Sequence, residues 1–138
     1  MTFSPGLTST TAKVQNIVIK GSLTGCTGST VTSATYVAKL KSTKAVSCAT
    51  LAGEIATGSI VIKWSPKGQG NSGGSLTLTA TEAGGSFAGT LETGLFAGDG
   101  ISGATETFTP IFKSGVEQCS KKNPLKKATF TGTAVTIS

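Results

Sequence analysis

The chain has no His and no Arg, a single Met, Trp and Tyr, and only 13% charged residues in a length of 138. Each shortage removes a class of function. Without His there is no Ser–His nucleophilic pair and no zinc or haem site built on imidazole. Without Arg, a basic protein lacks the planar fork that grips phosphate and reads guanine bidentately, so specific nucleic-acid recognition is not expected. No Cys-x-x-Cys spacing occurs, which argues against a thioredoxin-like centre or a zinc ribbon. No apolar run is long enough to cross a bilayer as a helix, and a transmembrane segment is not expected. Met1-Thr2-Phe3-Ser4-Pro5 has neither the basic start nor the apolar stretch of an export signal. Met1 therefore fits an initiator placed on a mature domain whose signal has been removed.

What is abundant points the other way. Ser and Thr make up about forty residues and Gly 19. Thr, Val and Ile suit the pleated, half-buried surface of a strand, and Gly supplies turns. Hydrophobic residues reach 37%, too many for a disordered chain. Apolar and polar residues alternate in short segments bounded by Gly, Ser or Pro. These predict strands over Lys13–Leu23, Thr30–Leu40, Ser59–Trp64 and Ser75–Thr81, another from Phe87 through Leu91, and two more over Ile101–Phe112 and Ala128–Ile137. The sixth is expected to bend at Pro110, which cannot donate to a ladder. A short helical turn fits within residues 48–58. With no helix long enough for a crossover, the strands must pair antiparallel. The expectation is one all-β domain over residues 1–138. It is an antiparallel β-sandwich, Ig-like or similar, of seven to eight strands, with a closed β-barrel as the alternative.

Three cysteines, Cys26, Cys48 and Cys119, in a Thr/Ser/Gly-rich chain suggest at least one disulfide and an exported protein. The expected pair is Cys26 with Cys48, closing a loop of about twenty residues worth roughly 3 kcal/mol. The alternatives join Cys119 to either partner. Cys119 lies near Lys121 and Lys122, which would lower a thiol pKa, but no His is present to serve as its base.

Other motifs favour structural readings. Gly68-Gln69-Gly70-Asn71-Ser72-Gly73 and Gly98-Asp99-Gly100-Ile101-Ser102-Gly103 match Gly-x-Gly-x-x-Gly, but each runs into a strand pattern, whereas a dinucleotide loop opens a helix. Both are expected to be turns. Phe87-Ala88-Gly89 recurs as Phe96-Ala97-Gly98, which fits an aromatic packing beside a turn. Glu92 and Glu106, in neighbouring strands, are the one pair of acids that could approach as glycosidase carboxylates do; two solvent-facing positions are the favoured reading. Asp99 is the only Asp, too little for a calcium site. No catalytic residue, metal site or cofactor is assigned.

The net charge of +6 comes wholly from Lys. Its densest cluster is Lys121, Lys122, Lys126 and Lys127 around Asn123-Pro124. These four are candidates for contact with a polyanion, against the plainer reading of a solvated loop that keeps an edge from pairing. Trp64 and Tyr36 are the large amphipathic aromatics and the candidate ligand-binding residues, although Trp64 shares parity with Ile60 and Ile62 and so also fits the core.

The ordered segments Phe3-Ser4-Pro5-Gly6-Leu7, Leu23-Thr24-Gly25-Cys26-Thr27-Gly28, Ser47-Cys48-Ala49-Thr50-Leu51, Lys63-Trp64-Ser65 and Thr93 through Asp99 resemble small secreted all-β proteins of actinobacteria that carry no assigned function. That resemblance implies export, a disulfide and a further Cys upstream of Phe3; it implies no activity. The enediyne-carrying apoproteins share the size, composition and sandwich form, but their paired cysteine spacing is not matched. The resulting expectation is a secreted or cell-envelope binding module, not an enzyme, whose partner is an unknown ligand, glycan or protein. A structural or assembly subunit, such as a surface or phage decoration protein, and a carrier of an apolar small molecule are the alternatives. Oligomeric state is not readable.

Overall fold

Alternation decides which side of a sheet each residue faces. In the computed structural model, which describes residues 1–9, 11–81, 84–111 and 119–138, it organises eight strands. They are β1 (Thr2–Leu7), β2 (Asn16–Thr24), β3 (Ser33–Ser42), β4 (Ile55–Ser65), β5 (Asn71–Thr81), β6 (Gly84–Gly94), β7 (Gly100–Ile111) and β8 (Leu125–Ile137). The parities expected from sequence are the inward ones. Ile17 and Ile19, Ala34, Ala38 and Leu40, Ile60, Ile62 and Trp64, and Leu76, Leu78 and Ala80 are all buried. Residues 48–58 form turns and the start of β4, and no helix forms among the described residues.

The all-β, antiparallel expectation holds. Each strand pairs with its sequence neighbour, and β1 also pairs with β8, so the ring closes as in the barrel alternative. Opposite walls face each other across one apolar interior. β1 is the strand that alternation did not reveal, because Pro5 and Gly6 interrupt its pattern; only Phe3 and Leu7 mark its inner face.

An up-and-down ring has two ends. The connections after β1, β3, β5 and β7 lie at one, here called the loop end. Those after β2, β4 and β6, with the C-terminus, lie at the other, the turn end. Gly68 and Gly70 sit in the β4–β5 turn and Gly98 in the β6–β7 turn, all with positive φ, so each glycine motif begins in a turn and runs into a strand, with no helix.

This geometry corrects the expected disulfide. Cys48 bonds Cys119, with Cα atoms 6.5 Å apart, and Cys26 is free. Only β3 separates Cys26 from Cys48, so they lie at opposite ends of a strand of 10 residues. At about 3.4 Å per residue, that separation far exceeds the ~7 Å limit between bridged Cα atoms. Four strands, β4 to β7, separate Cys48 from Cys119, and an even number returns the chain to the same end.

The loop end is stitched by more than sulfur. Lys13 and Val46 exchange backbone hydrogen bonds of 3.1 and 2.9 Å, and the Cys48 N–H donates to the Thr8 carbonyl at 3.1 Å. At its centre Gln15 is fully buried. Its Oε1 accepts from the Gly6 N–H at 2.9 Å, and its Nε2 donates to the Gly6 carbonyl at 3.1 Å. One side-chain amide thus takes the place of a strand partner for β1 where the β1–β8 register slips between Thr2 and Leu7. The Gln15 N–H in turn donates to Ser42 Oγ at 2.9 Å.

Two outcomes are expected. Gln15→Leu strands both polar groups of Gly6 and destabilises the fold by roughly 1–3 kcal/mol for each group left unpaired, read from the urea midpoint. Mass spectrometry of Cys26→Ser gives a chain two hydrogens lighter than its reduced form, whereas Cys48→Ser loses that difference. Because the bridge spans 71 positions, its removal costs about 4 kcal/mol by loop-closure entropy.

Candidate functional site

Eight strands enclose a space that side chains can just fill, or that can hold one small ligand. Which outcome applies depends on the size of the inward residues, and here it changes along the axis. Toward the loop end, Leu7, Ile17, Leu40, Val46 and Leu125 fill the interior, leaving a small apolar cavity of about 110 Å³ beside Phe3, Gln15 and Leu51. Toward the turn end, the inward positions include Gly21, Ala34, Ala38, Gly103 and Gly132. There the lumen opens into a cavity of about 890 Å³.

Aromatic rings line that cavity: Tyr36, Trp64, Phe87, Phe96 and Phe130, with Ile60, Ile62, Leu76, Val135 and Ile137 between them. Two of the rings depend on glycines directly across the ladder. Tyr36 pairs with Gly21, and a Cβ on Gly21 would stand 2.5 Å from its hydroxyl. Phe87 pairs with Gly103, where a Cβ would stand 2.5 Å from the ring tip. Each ring therefore lies across its glycine instead of projecting into the lumen centre.

Trp64 is buried and also faces the lumen, so its two expected roles coincide. Its Nε1–H donates to Ser72 Oγ at 2.7 Å, and the Ser72 hydroxyl donates to the Leu95 carbonyl. Phe96 meets Trp64 edge-on, with centroids 5.2 Å apart and planes at 76°. Phe96 reaches it from a left-handed backbone, φ 65°, unusual for a bulky side chain. The Gly98 N–H bond to the Leu91 carbonyl at 2.7 Å and the Asp99 N–H bond to the Phe96 carbonyl at 3.0 Å hold that turn. The turn thus caps the lumen above Trp64.

The cavity opens sideways. β1 pairs with β2 only between Thr2 and Ser4, opposite Val18 to Asn16. Met1 and Ala128 add a pair of backbone bonds at 3.0 Å on the β8 side. Beyond that level β2 continues to Thr24 and β8 to Ile137, with no strand between them among the described residues. Lys20 to Gly25 of one edge and Thr129 to Thr131 of the other line the opening. Leu23, Tyr36, Phe130, Val135 and Ile137 are accordingly only half-buried, although they face inward. Cys26 lines the same cavity.

The other candidates are not brought to this site. Lys121, Lys122, Lys126 and Lys127 are all exposed at the loop end. Glu92 is exposed on β6, near its turn-end terminus. The register sets Thr105 against Gly85, at the far end of the same ladder, so position 106 is remote from Glu92; the Glu106 side chain lies outside the described residues. Among the described residues no group of three or more His, Cys, Asp or Glu comes together.

No protein-family model, curated protein or solved structure matches the chain. Sequence reasoning named Tyr36 and Trp64 but missed Phe87, Phe96 and Phe130, the half-buried aliphatics and the small residues that make the space. The Phe87/Phe96 near-repeat was a signal, since both rings reach the lumen, one across a strand glycine and one from a turn.

Burial raises the Tyr36 phenol above its ordinary value near 10. The unfolded chain ionises first, so the folded form loses stability as pH rises above about 10, and the loss ends once the folded phenol also ionises. As Tyr36 is the only Tyr, tyrosinate absorbance follows it alone: the native midpoint is expected above that of the urea-unfolded chain.

Proposed function

We propose that the protein is a non-catalytic binding barrel that carries a neutral, largely apolar small molecule in its lumen, taken up through the opening between β2 and β8. One observation carries this reading: a cavity of about 890 Å³ lined, among the described residues, by five aromatic rings in a barrel this small. Cavities of roughly 300–1,000 Å³, mostly apolar with a few placed polar groups, are the usual form of small-molecule sites. The polar groups available are the Tyr36 hydroxyl and Thr105 within, and, along the opening, the backbone of the two strand edges with Ser22, Thr24, Thr129 and Thr131. They suit a ligand with an extended hydrophobic body and one or two hydrogen-bonding groups. Among the described residues no Asp or Glu lines the cavity, and Lys20 is exposed at its rim, so a neutral ligand fits better than a charged one.

Export to the cell exterior or envelope belongs to the same reading. The Cys48–Cys119 bridge is of the kind that persists in oxidising compartments. Among the described residues, no helix is long and apolar enough to cross a membrane.

Phenylnaphthylamine, a neutral apolar fluorophore, tests the lumen. Its emission should rise on binding while the Trp64 emission falls by energy transfer. Val135→Trp places an indole in the cavity and should weaken the probe by at least about tenfold, or about 1.4 kcal/mol, with the thermal midpoint nearly unchanged. Equal binding by the filled variant, or none by the parent, would count against a carrier.

A further inference from the structure

The opening beside the lumen is one strand wide. At its foot a single strand, β1, stands between β2 and β8: Thr2 pairs with Val18 on one side and with Lys127 on the other. Neighbouring strands are spaced about 4.8 Å apart, so the two walls stand roughly 10 Å apart where β1 stops. Above that level β2 and β8 do not pair with each other. Every second residue of an antiparallel strand turns its N–H and C=O away from its one partner. β2 from Lys20 to Thr24, paired only toward β3, and β8 from Thr131 to Ile137, paired only toward β7 through a ladder whose register shifts between Gly103 and Phe108, therefore present facing rows of backbone donors and acceptors. An exposed edge is a template for another strand, and here two edges face one vacancy.

The side chains indicate the same vacancy independently. On inward parity, Ile17, Ile19 and Leu40 near the foot are buried, while Leu23, Val135 and Ile137 above it are half-exposed. They are core residues lacking the cover that one more strand would provide.

We propose that this gap accepts one extended peptide segment of a partner, which continues the line of β1 and completes the wall. Its chemistry follows from the two faces it would join. Alternate side chains point into the lumen and are apolar, with room for Leu or Phe. The intervening ones point outward beside exposed Lys20, with exposed Lys127 at the foot, and are acidic or neutral and polar. The β2 edge from Lys20 to Thr24 runs about 17 Å, which sets the paired length at about five residues. Recognition of this type draws affinity from main-chain hydrogen bonds and selectivity from alternate side-chain pockets. The site depends on the gap and not on what else the lumen holds.

The test uses capped heptapeptides alternating glutamate with valine, leucine or phenylalanine, and the same peptides N-methylated at alternate residues. Amide hydrogen exchange is read on the whole protein. The expected result is slowing by at least about tenfold at both Lys20–Thr24 and Thr131–Ile137 with one or more of the plain peptides, and loss of that effect on N-methylation, which removes main-chain donors but keeps the side chains. Equal binding by N-methylated peptides, slowing at one edge only, or no slowing with any peptide overturns the proposal. So does slowing that grows with protein concentration in the absence of peptide, which would assign the gap to a second copy of the chain. Phenylnaphthylamine binding reports separately on the lumen, so the two readings fail independently.

Discussion

A cylinder of strands closes only where its first and last staves meet, and here that meeting is confined to a few residues. β1 has 6 residues, against 13 in β8. Hydrogen bonding along so short a ladder is weak closure, and the loop end supplies what is missing. The Gln15 amide occupies the slipped register at Gly6, the Lys13–Val46 bridge joins two loops, and Cys48–Cys119 ties the β3–β4 loop to the chain entering β8. Because these fastenings crowd one end, the other end is free to remain open. The packed half, the hollow half and the lateral opening all follow from where the ring is closed.

Much of the fold was legible because alternation is a local property. The inward parities of β2 to β5 come directly from residues such as Ile17, Ile60 and Leu76. Reading failed where Gly and Pro stand in place of patterned residues. Pro5 and Gly6 hid β1. Gly58 hid the first residues of β4, and Gly73 and Gly74 hid the start of β5. The disulfide was mispaired for a different reason. Proximity in sequence stood in for proximity in space, although counting strands would have separated Cys26 from Cys48. In an up-and-down ring, cysteines on opposite sides of one strand lie at opposite ends of the molecule.

The candidate site was less legible, because a cavity is made by what is small. Tyr36 and Trp64 could be nominated by type. Gly21, Ala38 and Gly132 lie on three different strands, and only the register shows that they surround one space. The opening is harder still to foresee. It is the difference between the lengths of β1 and its two neighbours, and no single residue encodes it.

The placement of charge has a consequence for how the molecule meets other surfaces. Lys13, Lys44, Lys121, Lys122, Lys126 and Lys127 crowd the loop end or lie just above it, with Glu54 among them, while at the opposite end the exposed Lys63 and Lys67 are offset by Glu92 and Asp99. Among the described residues the excess positive charge therefore sits at one end of the barrel's axis. Near a negatively charged wall or polymer such a body is turned before it touches, through long-range torque that weakens as salt shortens the Debye length. It would approach with its fastened end first, leaving the turn end directed away from the surface.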